Sequence, residues 1–148
     1  LRAPSDDEDI FAMIRRGDLI RRKIREIEEY APSVVANYVE KMQERIKELL
    51  NGSIAVPEER ILLEAAVFAD KSNITEELVR LDSHILQFDK IIAESKEPDG
   101  KKLDFLVQEM NREANTIGSK ANDIGITNLM LEIKSEIEKI REQIQNIE

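Results

Sequence analysis

Residues 126–148, ITNLMLEIKSEIEKIREQIQNIE, place Ile126, Met130, Ile133, Ile137, Ile140, Ile144 and Ile147 at alternating intervals of four and three. That heptad rhythm runs for three repeats and puts these seven apolar side chains on one seam of a helix, with mostly Glu, Lys, Arg and Gln on the rest. A coiled-coil-like C-terminal helix follows. Its partner can be another helix of the chain or the same helix in a second copy, and the spacing does not choose between them.

Working back from this seam, the same periodicity recurs. Leu103, Leu106, Val107, Met110, Ala114, Ile117 and Ala121 make one stripe, and Leu78, Leu81, Ile85, Phe88 and Ile92 make another over residues 75–95. A short apolar helix is predicted over residues 57–69, between the Gly stop and Pro restart of NGSIAVPEE (51–59) and the break at DKSNITEE (70–77). KEPDG (96–100) separates the next pair. Ile10, Met13, Ile14, Gly17, Ile20, Ile24, Ile27 and Ala31 form a first helix after the acidic PSDDED (4–9). Pro32 is expected to end it and to start a second helix through Val35, Tyr38, Val39, Met42, Ile46 and Leu49. The two would fold back as an antiparallel hairpin.

Composition agrees with this reading. Across 148 residues, 41% are hydrophobic but only 4% aromatic, with no Trp, so the core is aliphatic. Charged residues reach 36%, with five Gly and four Pro. Those proportions suit long amphipathic helices, and the expected fold is all-α: helical hairpins and long amphipathic helices in one domain. The lack of cysteine excludes disulfides and thiolate metal sites. Neither a signal peptide nor a membrane-spanning run is present, which leads to the expectation of a cytoplasmic protein without membrane contact. A net charge of −9 excludes broad electrostatic adhesion to nucleic acid and confines any such contact to a local site.

One face carries unusual chemistry. With the 103–121 stripe turned inward, Glu109, Arg112, Glu113, Thr116 and Lys120 fall on one exposed side, flanked by Gln108, Asn115 and Ser119. A solvated salt-bridge ladder is the ordinary explanation. Two carboxylates one turn apart also suit a hard divalent cation, magnesium or manganese. Phe105 points away from the stripe, where an aromatic ring stacks a base or plugs into a neighbouring domain. The sole histidine, His84, lies at the edge of its own stripe, near Arg80, Asp82 and Ser83. Histidines so placed are commonly packing residues, with proton transfer the sharper alternative. Ser83 beside it makes no triad, since adjacent helical residues point about 100° apart. The basic group Arg15, Arg16, Arg21, Arg22, Lys23 and Arg25 spreads around its helix and reads first as a solvated surface, second as a phosphate contact.

Three strings in order, ITEELVRLDSHILQF (74–88), GKKLDFLVQEMNREANTIGSKAND (100–123) and LEIKSEIEKIREQIQNIE (131–148), closely resemble the C-terminal domain of the YicC/YloC family of bacterial stress-associated endoribonucleases. The resemblance covers residues 18–148, while residues 1–17 match poorly. It implies a cytoplasmic, metal-dependent, RNA-cleaving homo-oligomer, a hexamer, whose N-terminal domain of strands and helices lies outside these residues. On that basis Glu109, Glu113 and Asp104 are expected to hold the metal or orient water. His84 is expected to join Glu109 and Glu113 in catalysis, and Arg80, Arg112, Lys120, Phe105 and Asn115 to contact RNA. Family members usually carry an acidic residue where Gly125 stands, so a looser joint between the last two helices is expected. The contrasting expectation is a non-enzymatic oligomerisation or docking module, with the heptad helix driving assembly.

Overall fold

A computed structural model describes residues 3–51, 56–94 and 99–147. Five helices follow in order: α1 (Ala3–Leu50), α2 (Glu58–Lys71), α3 (Thr75–Glu94), α4 (Gly100–Lys120) and α5 (Ile124–Ile147). No strand occurs among the described residues, so the all-α expectation holds. The Gly stop at residue 52, the break across 95–98 and the side chain of Ile147 lie outside what is described.

Four of these helices form a closed ring of neighbours: α1 packs on α3 and α5, and α4 packs on α3 and α5. Cross-helix pairs give the directions. Arg16 meets Glu136 and Lys23 meets Glu132, so α1 and α5 run antiparallel. Lys120 meets Glu77 and Arg80 meets Glu113, so α3 and α4 do too. The heptad seam fills the centre, with Ile126, Met130, Ile133, Ile137, Ile140 and Ile144 all buried. Each such side chain contributes about 1.5–3 kcal/mol by leaving water. The seam is therefore consumed within the chain, against α1 and α4.

Pro32 does not end the first helix. One helix of 48 residues runs through it, and it starts at Ala3, so the acidic lead-in forms its first turns. Because Ile24, Ile27, Ala31 and Val34 keep their spacing across the proline and no turn residue flanks it, the apolar stripe stays in phase; Val34 is buried beyond the break. Losing one hydrogen bond and straining the preceding turn costs about 3 kcal/mol. Pro32 is exposed, where water can reach the released carbonyl, and the Ser33 hydroxyl donates to the Tyr30 carbonyl at 2.7 Å. The hairpin turn falls later. None of residues 35–50 of α1 is buried, and α2 packs along α1 to make an arm, with the Tyr38 and Phe68 rings stacked at 3.9 Å.

The α4–α5 joint is tight, contrary to the expectation drawn from Gly125. Asn122 takes a left-handed conformation, φ 47°, and Asp123 caps α5 by accepting from the Ile126 amide at 3.0 Å. Tyr30 donates from its hydroxyl to the other Asp123 oxygen at 3.2 Å. A Cβ at position 125 would lie 3.3 Å from the Tyr30 ring, so the missing side chain lets α1 close over the joint.

Candidate metal centre in the groove between α3 and α4

The antiparallel register of α3 and α4 makes a ladder of polar rungs along one side of the bundle. At one end the Lys120 ammonium donates to Glu77 Oε2 at 2.8 Å. Next, Arg80 Nε donates to both oxygens of Glu113 at 3.1 Å, while its Nη1 lies 3.6 Å from Glu76. The third rung joins His84 to α4: ligand atoms of His84, Glu109 and Glu113 all lie within 4.8 Å of one another.

Burial distinguishes these groups. Glu113 is 6% and Glu77 2% exposed, so Glu113 is not on the solvated side predicted for it. Both acids sit in phase with the apolar stripes of their helices, Ile74–Glu77–Leu81 and Met110–Glu113–Ile117, and that phase was the available signal. Removing such carboxylates from water is costly unless each is paired, which Arg80 and Lys120 accomplish. Burial pushes the Glu77 carboxyl up, but the Lys120 hydrogen bond, its own backbone amide and the charges of Lys120 and Arg80 outweigh it, leaving the group below its usual range. The hydrogen bond to Glu113, with the surrounding acids, raises the Arg80 guanidinium despite partial desolvation.

The other nominated residues divide. Arg112 is exposed and only loosely associated with Glu109, at 3.8 Å, so its charge is open to solvent. Asn115 and Phe105 are exposed as predicted. Asp104 stands apart from the cluster and accepts from Gln108 Nε2 at 3.2 Å. Arg16, Arg21, Lys23 and Arg25 of the basic group are tied to Glu136, Asp82, Glu132 and Glu28, which favours the surface reading for that group.

The donor set fits a divalent transition metal. Both ring nitrogens of His84 are buried without a hydrogen-bond partner, a costly arrangement that a metal ligand resolves. One imidazole nitrogen with two carboxylates suits manganese better than magnesium, which prefers oxygen alone. Arg80 occupies one lone pair on each Glu113 oxygen, and a carboxylate offers about four such sites.

Residues 27–148 match the family model described as "Endoribonuclease YicC-like, C-terminal". Among similar proteins, "Probable endoribonuclease YicC" of Clostridioides difficile (strain 630) is 57% identical over 133 residues, covering 90% of this chain and 45% of that protein. The protein of the same description from Haemophilus influenzae (strain ATCC 51907 / DSM 11121 / KW20 / Rd) is 33% identical over 134 residues, covering 90% and 45%. The chain thus spans under half the length of either relative.

Proposed function

Since the chain belongs to the YicC-like endoribonuclease family, as its C-terminal domain, we propose that it forms the metal-binding half of a divalent-metal-dependent endoribonuclease, with manganese the better-suited ion. The observation that carries this is the convergence of His84, Glu109 and Glu113 from two helices onto one point, with both histidine nitrogens unpartnered. A bound divalent cation supplies Lewis acidity and a water of lowered pKa. Around it, Glu109 and Glu113 provide the anionic ligands and His84 the nitrogen. Arg80 fixes the Glu113 carboxylate in place, the role that outer partners play at metal sites. Arg112, free to turn outward, neutralises phosphate, and Asn115 reaches sugar or base edges.

The test separates metal from activity. Manganese at a hundredfold excess over its dissociation constant should add about 2.7 kcal/mol to the stability of the protein. Glu109→Gln should abolish that thermal shift and abolish RNA cleavage, with unchanged helicity. Chelation by EDTA should do the same to the unaltered protein. Cleavage that persists at the normal rate in Glu109→Gln, or in EDTA, excludes this reading.

A second reading is favoured by a different observation. Leu49, Leu62, Leu63 and Val67 are 72%, 62%, 54% and 41% exposed on the arm made by α1 and α2. An assembly module with this arm as its contact surface, in place of the heptad seam, accounts for that exposure. Light scattering of Leu62→Ser with Leu63→Ser decides it, through a fall in assembly mass without loss of helicity.

A further inference from the structure

Beyond the metal centre, the same groove opens beside Phe105 into a hollow of about 330 Å³ whose floor is Ile91 and Leu106 and whose rim carries Gln87, Lys101 and Lys102. Phe105 is 59% exposed there. Among the described residues neither lysine ammonium has an ion-pair partner, whereas Arg80 and Lys120, further along, are held by buried acids. An aromatic ring, an apolar floor, an amide and two uncommitted cations are unusual company in a protein of net charge −9. Stacking satisfies the ring, backbone phosphates satisfy the lysines, and the Gln87 amide meets a base edge.

We propose that this hollow is a nucleobase-stacking subsite for single-stranded RNA, with Phe105 as the platform and Lys101 and Lys102 as phosphate contacts. It rests on the ribonuclease reading for its register. Phe105 precedes Glu109 by one helical turn, about 6 Å along α4 at 1.5 Å per residue. A stacked strand advances about 3.4 Å per nucleotide. The stacked base therefore lies about two nucleotides from a phosphate that a cation held by His84, Glu109 and Glu113 would meet. A protein partner would be expected to cover the ring with apolar surface, and the paired unsatisfied lysines favour a polyanion instead.

Binding of a short fluorescent oligoadenylate in EDTA, where no metal contributes, tests the subsite apart from catalysis. Phe105→Ala should weaken affinity about tenfold, and Phe105→Trp should restore it. Because the chain has no other Trp, quenching of that new indole by RNA reports stacking directly. Lys101→Ala with Lys102→Ala should flatten the salt dependence by about 1.4, at 0.7 per phosphate contact. Affinity unchanged in Phe105→Ala overturns the proposal. So does a fall in assembly mass with RNA affinity intact, which would identify a protein-docking face. Weakened binding in Phe105→Ala alongside normal cleavage in Glu109→Gln would uphold the subsite and remove the metal reading alone.

Discussion

The bundle and the arm use the same kinds of residue at the same spacing, yet in the bundle Ile20, Ile24 and Ile27 are fully buried while α2 has no buried residue at all. Both present amphipathic helices. The difference is closure: α1, α3, α4 and α5 each pack on two others of these four, whereas among the described residues α2 packs chiefly on α1. Periodicity thus identifies a face that must be covered but leaves the covering element unspecified. The bundle covers its faces from within the chain and the arm does not.

The sharpest way to break this contrast is a charge on each side of it. Ile137→Asp puts a carboxylate where nothing can pair with it and should cost more than about 4 kcal/mol, unfolding the bundle by circular dichroism. Leu63→Asp, on the exposed arm, should change the stability of the isolated chain by less than about 1 kcal/mol. Equal losses would mean that the arm is as closed as the bundle.

A smaller effect is expected where the bundle buries charge. Lys120→Met leaves the buried Glu77 carboxylate without its ammonium partner, at a cost of about 2 kcal/mol, less than for a fully buried pair because Lys120 is 42% exposed. Since the folded-state pKa of Glu77 lies below its ordinary value, the pair stabilises above that value and its contribution is lost as pH falls through the folded pKa. Urea denaturation at pH 7 and at pH 3 should show the deficit shrinking under acid. A constant deficit would assign the loss to the packing of the lysine stem instead.

The smallest concerns the seam between α1 and α3. Asp89 Oδ1 is buried without a hydrogen-bond partner, 3.2 Å from where a Cβ on Gly17 would stand. Desolvation, helped by Asp18 and opposed by Arg21, raises its carboxyl from 3.8 to about 6. The folded state thus holds this proton more tightly, so the stabilisation is complete below pH 3.8 and lost as pH rises through about 6. Asp89→Asn should remove that slope and add about 1 kcal/mol at pH 8, a small gain because solvent screens this half-buried group. Parallel stability curves for the two proteins from pH 4 to 8 would show that the carboxyl titrates as if in water.

Sequence reading succeeded where one residue type occupied one phase. The α5 seam, the apolar stripes of α3 and α4 and the exposure of Phe105 follow from spacing, and the place of α2 from the Gly, Pro and Asn breaks around it. It faltered where two rules competed. At Pro32 the local helix-breaking preference lost to an unbroken stripe with a core to bury. At Glu113 an acid in apolar phase reads as surface, because its partner Arg80 lies 33 positions away on another helix. Likewise His84, Glu109 and Glu113 each stand out in the sequence, but only the register of α3 against α4 brings them together.

Pro32 also sets a clock. In the unfolded chain roughly 10–30% of X-Pro bonds are cis, and they interconvert over tens of seconds. A continuous helix needs the trans form at residue 32, so chains starting from cis can nucleate α1 on one side of the proline but cannot extend it to the other. The core residues of α1 precede Pro32 except for Val34 just beyond it, and no residue of 35–50 is buried. During refolding, a minority of molecules therefore acquires its core first and its arm later, at the pace of one peptide bond.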